Sequence, residues 1–304
     1  MIEDLSRDLS YAARTLLRSP VFTLVAALSL ALGIGANTAI FSLINALLLR
    51  QLPVREPAQL VALGDPARTG SISTGSVRND LFSYPLYERV RDQSTAFSGV
   101  YASGRSGRLR VGLAGVPGEP EPARGRLVSG NYFSVLGVPA ARGRTFSAQE
   151  DRAPGASPVV VISHDYWRRR FASNPGAVGR LLTINGSPFT VIGVTPAGFL
   201  GDVVGLSTDL WIPVTMQPQV NPGRQFLDRW DTSWLLLMGR LRPGVPLARA
   251  RTEVDALVTR AFAEASLPEG ARPDGDLPPV PAGPGGAGFS WLRPQFAQPL
   301  LTLM

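Results

Sequence analysis

The sequence predicts an α+β fold carried behind one N-terminal transmembrane helix. Three observations predict it. No charged residue falls between Arg18 and Arg50, and Leu, Ala, Val, Ile and Phe fill most of that interval. A bilayer core needs roughly 20 such residues in a helix. Beyond it, short β-branched runs interleave with helix-periodic segments, the pattern of a mixed domain. Asn185-Gly186 sits between two apolar alternating runs, and Asn-Gly is a preferred pair for a type I′ hairpin.

The elements follow in order. Residues 1–19 are expected as an amphipathic helix, with Leu5, Leu9, Ala12, Leu16 and Leu17 on one face and charges on the rest. Residues 20–50 are expected to span the membrane. A cleaved signal peptide is the rival reading, with Gly33–Ala36 as a cleavage site. The three acids before it and an apolar run reaching Leu49 favour a retained anchor. Within the span, Ala27, Ala31, Gly35 and Ala39 recur every four residues, a small-residue ridge against which a second helix can pack. Arg7, Arg14 and Arg18 precede the span, and Arg50 and Arg55 follow it, so charge counting leaves its orientation open.

Past the anchor, strands are expected at Leu60–Leu63, Arg108–Leu113, Val159–Ile162, Leu181–Ile184, Phe189–Val194, Leu210–Ile212 and Trp234–Leu241. Ser83 and Ser163 stand where helix N-caps belong, before helices at 84–91 and 164–171, and 131–136 reads as a short helix. Residues 246–265 form an amphipathic helix with Leu247, Ala250, Val254, Leu257, Val258 and Ala261 on one face. Residues 266–288 are rich in Pro and Gly and are expected as a linker. Residues 289–304 turn apolar again, and read as the start of a second spanning helix that stops short.

Composition excludes several functions. There is no cysteine and one histidine, His164, which removes disulfides and thiolate metal sites and leaves little for a histidine cluster. All 30 basic residues are arginine, and the net charge is +7. The arginines are spread along the chain, so no nucleic-acid footprint is expected. A Walker A loop requires lysine, so this chain cannot carry one. No catalytic residue and no cofactor is expected: His164-Asp165 reads as a helix start, Gly104 and Gly107 as loop glycines, and Glu119 and Glu121 as an exposed extended segment between prolines. Arg168–Arg170 reads as a solvated helix face rather than an anion patch.

Longer stretches carry a resemblance. Asp8-Leu9-Ser10-Tyr11-Ala12-Ala13-Arg14-Thr15-Leu16-Leu17-Arg18-Ser19-Pro20 and Ala31-Leu32-Gly33-Ile34-Gly35-Ala36-Asn37-Thr38-Ala39-Ile40-Phe41-Ser42 resemble the N-terminus of MacB/FtsX-type ABC transporter permeases, above all the acidobacterial-type duplicated permeases. Val128-Ser129-Gly130-Asn131-Tyr132-Phe133, Gly143-Arg144-Thr145-Phe146, Tyr166-Trp167-Arg168-Arg169-Arg170-Phe171, Asn185–Val194 and Gly239-Arg240-Leu241-Arg242-Pro243-Gly244-Val245 look like the MacB-like periplasmic core domain over 51–265.

The resemblance implies a cytoplasmic N-terminus in a bacterial inner membrane and a periplasmic porter-like α/β subdomain, from 55–115 and 230–265, with a β-rich subdomain inserted. It further implies an ATP-binding ABC subunit on a separate chain and a homodimer or paired permease. It supplies no catalytic residue. The leading expectation is therefore a permease piece that couples a partner's ATP hydrolysis to periplasmic movement. A single-span anchored binding or sensor module is the rival, and it requires the apolar C-terminal segment to dock on the soluble domain.

Overall fold

The computed structural model describes residues 11, 16–45, 50–116, 118–271 and 277–296. It forms two compact units, one from Met1–Arg50 with Gln295–Met304 and one from Gln51–Pro294.

In the first unit, α1 spans Pro20–Ile44. Pro20 occupies its first turn, where a missing N–H costs no helical bond. At about 1.5 Å per residue, its 25 residues measure roughly 37 Å, longer than a ~30 Å hydrocarbon core. Val21, Phe22, Leu24, Leu30 and Ile34, which point to different sides of the helix, are all exposed, so it is apolar all round rather than on one stripe. Thr38 turns its hydroxyl back to the Ile34 carbonyl at 2.7 Å, leaving no unpaired polar group there. The expected N-terminal amphipathic helix lies outside the described residues except for Tyr11 and 16–19, as do 46–49 of the expected span and 297–304 of the expected second helix.

The second unit begins with β1 (Leu60–Leu63), β2 (Ser73–Thr74), α2 (Tyr84–Gln93), β3 (Phe97–Leu113), β4 (Glu121–Val128), α3 (Tyr132–Leu136) and β5 (Arg142–Gly143). It continues with β6 (Val159–Ile162), α4 (His164–Phe171), β7 (Leu181–Ile184), β8 (Ser187–Val194), β9 (Leu210–Pro213), α5 (Gln217–Val220), β10 (Thr232–Ser233), β11 (Leu235–Leu241), α6 (Leu247–Glu264) and β12 (Ala282–Pro284). The serine caps form as expected: Ser83 accepts from Leu86 N and Ser163 from Tyr166 N. Asn185 and Gly186 both have positive φ, 50° and 91°, as a type I′ turn requires.

The sheet order β12-β1-β11-β3 carries two split β-α-β crossings. β1 leads through α2 to β3 with β11 between them, and β11 leads through α6 to β12 with β1 between them; β1 is antiparallel to both of its neighbours, as is β11. This is the ferredoxin-like arrangement. Apolar side chains of α2 and α6, among them Leu86, Val90, Val254 and Val258, belong to the same buried core as Val61, Val100 and Leu237 of the sheet. The other sheet face packs a second core around Tyr101, Tyr132, Phe133, Trp211, Met238 and Phe289.

Between the second and third strands of this half the chain builds a barrel. β3 pairs β4, β4 pairs β9, β9 pairs β6, β6 pairs β8, β8 pairs β7, and β7 returns to β3. The ring is closed, so its strands expose no edge to one another. Leu109, Ala123, Ile162, Leu182, Phe189 and Ile212 fill its interior. The 17-residue β3 serves both halves: its first part pairs β11 and its last part pairs β7, with an irregularity between Arg105 and Arg108 where the strand bends.

Three expectations change. The 266–288 segment is not a plain linker: its described residues include β12, the fourth strand of the ferredoxin-like half, and the buried Val280. Phe289 is wholly buried in this unit, and the helical segment described after it starts at 292 rather than 289. Gly104 and Gly107 lie inside β3, where Gly104 leaves room for the Trp234 ring and Gly107 sits at the bend.

Candidate functional site

The most chemically distinctive surface of the second unit is a cleft of about 400 Å³ where the 199–208 loop crosses β3 and β4. In the antiparallel register Arg105 faces Arg126 and Arg108 faces Arg124. Directly opposed residues share a face, so four arginines form two like-charged rungs, an arrangement that destabilises a sheet unless counter-charges are supplied. The inner positions of the same strands, Leu109 and Ala123, are buried in the barrel.

The rungs are neutralised unequally. Arg126 is buried and paired with the fully buried Asp202, Nε to Oδ1 at 3.0 Å, and also donates to Ser103 Oγ. Tyr101 donates its hydroxyl to the other Asp202 oxygen at 3.3 Å. Burial, with Asp202 close by, pushes the Tyr101 and Tyr132 hydroxyls far above the ordinary tyrosine range, so both stay protonated. Arg124 donates to Ser207 Oγ at 3.2 Å. Asp209 accepts from the Arg124 backbone N–H at 2.9 Å and pairs with Arg169 at 3.1 Å. The exposed guanidinium groups of Arg105 and Arg108 have no acid partner among the described residues; Arg105 lies along Gly70. Trp291 and Leu206, each 39% exposed, close the rim.

The sequence-level candidates fall elsewhere. Ala27, Ala31, Gly35 and Ala39 all lie exposed on α1. His164 stacks edge-on to Trp167, and its Nδ1 is 3.8 Å from Asp165. Of the Arg168–Arg170 run, Arg169 pairs with Asp209 and Arg170 with Glu121 at 3.6 Å. Among the described residues, no three His, Asp or Glu side chains gather to hold a metal. The arginine rungs were not singled out from sequence, because only the β3–β4 register brings 105 to 126 and 108 to 124.

The corner after β4 has its own logic. Ser129 Oγ accepts from Ala102 N–H at 2.9 Å and donates to Asn131 Oδ1 at 2.7 Å, while Asn131 Nδ2 donates to the Val100 carbonyl at 2.8 Å. A side chain on Gly130 would collide with the Ser147 carbonyl, and its N–H donates to Asp151. Burial pushes the Asp151 carboxyl up to about 6, against the pull of that N–H and of Arg91. The unfolded value is 3.8, so the folded state holds the proton more tightly. The associated stability is present below pH ~4 and is lost as pH rises through about 6. Asp151→Asn should therefore raise stability at pH 7.5 by at most about 3 kcal/mol and change little at pH 4. Thermal melts at the two pH values read this out; an equal shift at both would rule out the carboxyl as its source.

A family model described as the MacB-like periplasmic core domain matches residues 23–257. The chain belongs to that family. A probable export ATP-binding/permease protein MacB of Pseudomonas entomophila is 34% identical over 131 residues, 43% of this chain and 18% of that protein. A macrolide export ATP-binding/permease protein MacB of Burkholderia thailandensis is 32% identical over 137 residues, 43% of this chain and 19% of that protein. The matches thus span under a fifth of these relatives' length. The crystal structure of the periplasmic region of MacB from Actinobacillus actinomycetemcomitans superposes with a TM-score of 0.50 at 14% identity, covering 75% of this chain and 90% of that one. The MacB-like motifs are structural in this fold: Ser129-Gly130-Asn131 ties the end of β4 to β3, and Arg240 of the Gly239–Val245 stretch holds three segments together.

Proposed function

We propose that this chain is a permease part of an ABC-type export or mechanotransmission system. ATP hydrolysed by a partner chain would shift α1 within a helix bundle, and the soluble unit, lying outside the inner membrane with the N-terminus in the cytoplasm, would move in response. The family match over 23–257, which takes in most of α1 and the two-part domain up to the middle of α6, carries this reading. The porter part would be the ferredoxin-like half and the insert the barrel. The relatives' names give export as the activity class.

The absence of cysteine makes single-cysteine variants clean reporters. Asp92→Cys, at a side chain 59% exposed, should react with an impermeant maleimide added outside the inner membrane. Its labelling rate should change when the partner ATPase is trapped before hydrolysis. Labelling only after lysis would overturn the orientation, and an unchanged rate would overturn the coupling. The small-residue ridge makes a second prediction. Ala31→Cys and Gly35→Cys should form disulfide-linked pairs in oxidised membranes, and Leu30→Cys on another face should not. Equal crosslinking from all three would remove the ridge as the packing face.

One observation favours the rival, a single-span anchored binding module: Phe289 is buried in the second unit and Trp291 lines its cleft. Protease protection of 292–304 in membranes, but not in detergent, supports the permease reading; equal accessibility in both supports the module.

A further inference from the structure

We propose that the arginine cleft binds the phosphate headgroup of an anionic phospholipid from the membrane that anchors the chain. The inference rests on α1 being a membrane anchor and is independent of any ATPase. Opposed arginine rungs are unfavourable without anions, and the described residues supply only part of the counter-charge. Asp202 answers Arg126, while Asp209 is shared between the Arg124 backbone and Arg169. Arg105 and Arg108 are left facing the cleft. Guanidinium forks match phosphate oxygens in pairs, which a point charge does not. Ser207 and Thr208 line the same space and offer hydroxyl donors.

The rim argues for a lipid rather than free phosphate. Trp291 and Leu206 place an aromatic ring and an aliphatic chain, each 39% exposed, beside the charged floor. Trp291 also lies three residues before the uncharged stretch from Pro294 to Met304, with Arg293 between, a placement in which interfacial tryptophans are found. Within the second unit the two chain ends lie together: Leu52 N–H donates to the Gly286 carbonyl at 2.8 Å, and Val203 bridges to Phe289. The connection to α1 and the apolar C-terminal segment therefore leave from one end, and the cleft with its Trp291 is at that end.

The test uses the full chain in a neutral detergent, titrated with dihexanoyl phosphatidylglycerol, dihexanoyl phosphatidylcholine and inorganic phosphate by calorimetry. The glycerol lipid should bind tightest. Arg105→Gln with Arg108→Gln should weaken it at least tenfold at a melting temperature no lower than the native chain's, while Arg89→Gln, which loses only a surface partner of Glu264, should not weaken it. Trp291→Ala should weaken the lipid and leave phosphate binding unchanged. Equal binding of the choline lipid, or lipid binding indifferent to the double variant, overturns the proposal. Phosphate binding as tight as the lipid, with Trp291→Ala silent on both, replaces the lipid by a free anion and overturns it too. Should the double variant melt early, Arg105→Lys with Arg108→Lys decides: it keeps the charge but loses the fork, and affinity equal to the native chain's would count against the site.

Discussion

Asp202→Asn should destabilise the soluble unit by about 3–5 kcal/mol, the cost of leaving a buried charge without its partner. Asp202 is fully buried, and Arg126, 3.0 Å away, is 6% exposed. The substitution keeps the shape and keeps an oxygen for the Tyr101 hydroxyl, so what it removes is the counter-charge. For a unit of this size each kcal/mol moves the melting temperature by about 2–4 °C, so a drop on the order of 10 °C is expected. Apparent melting temperatures taken at one scan rate in detergent measure it.

A double variant separates charge from packing. Arg126→Met with Asp202→Leu removes both ions, and buried pairs replaced by apolar side chains are often neutral or better. It should recover most of the loss. If Asp202→Asn melts within a degree or two of the native chain, the pair is not buried in solution and the loop is not held as described.

The same residues show what sequence alone could reveal. The β7–β8 hairpin was readable because its turn chemistry is local: Asn185 and Gly186 accept positive φ whatever surrounds them. β6, β9 and β11 were readable from β-branched and aliphatic runs buried along their length. β4 was not. Its Glu121-Pro122-Ala123-Arg124-Gly125-Arg126 start gives the core only Ala123, and its outer face carries arginines whose reason lies in β3 and in Asp202. β12 was hidden for a different cause. Ala282-Gly283-Pro284 has no apolar pattern, and as an edge strand it tolerates a proline and needs only backbone pairing with β1. The ferredoxin-like half thus looked two strands short from sequence: the 97–104 part of β3 that pairs β11 was not expected, and the closing strand β12 was read as a linker. The candidate cleft failed for the reason β4 did: register is a long-range property, and Arg105 is 21 positions from Arg126.

Arg240 leads to the second large prediction. It is 4% exposed, yet no carboxylate among the described residues forms an ion pair with it, Glu56 acting only from a distance. Its guanidinium instead donates to the carbonyls of Arg55 at 2.6 Å, Val135 at 2.7 Å and Glu56 at 3.2 Å, and to Gln59 Oε1 at 3.3 Å. Burial, with Arg55 nearby, draws it below the usual arginine range, but deprotonation would strip the donors that these oxygens need. One side chain on β11 therefore fastens both α3 and the 55–59 segment that leads from α1 into β1.

Arg240→Leu would take the donor from the buried Val135 carbonyl and from the partly buried Arg55 carbonyl, and a buried loss of this kind costs about 1–3 kcal/mol. A total of about 3–5 kcal/mol is expected. Arg240→Lys should recover only part, because an ammonium cannot fork across three carbonyls. The loss should be local before it is global. Arg55 N–H holds the Leu136 carbonyl at 3.1 Å, so freeing the clamp should expose the Arg55–Glu56 bond to trypsin at temperatures where the barrel is still intact. Faster cleavage there with an unchanged barrel would mark Arg240 as the clamp that holds the 55–59 segment and α3 to the sheet. If cleavage at Arg55 and the melting temperature both match the native chain, Arg240 is not what holds the 55–59 segment in place.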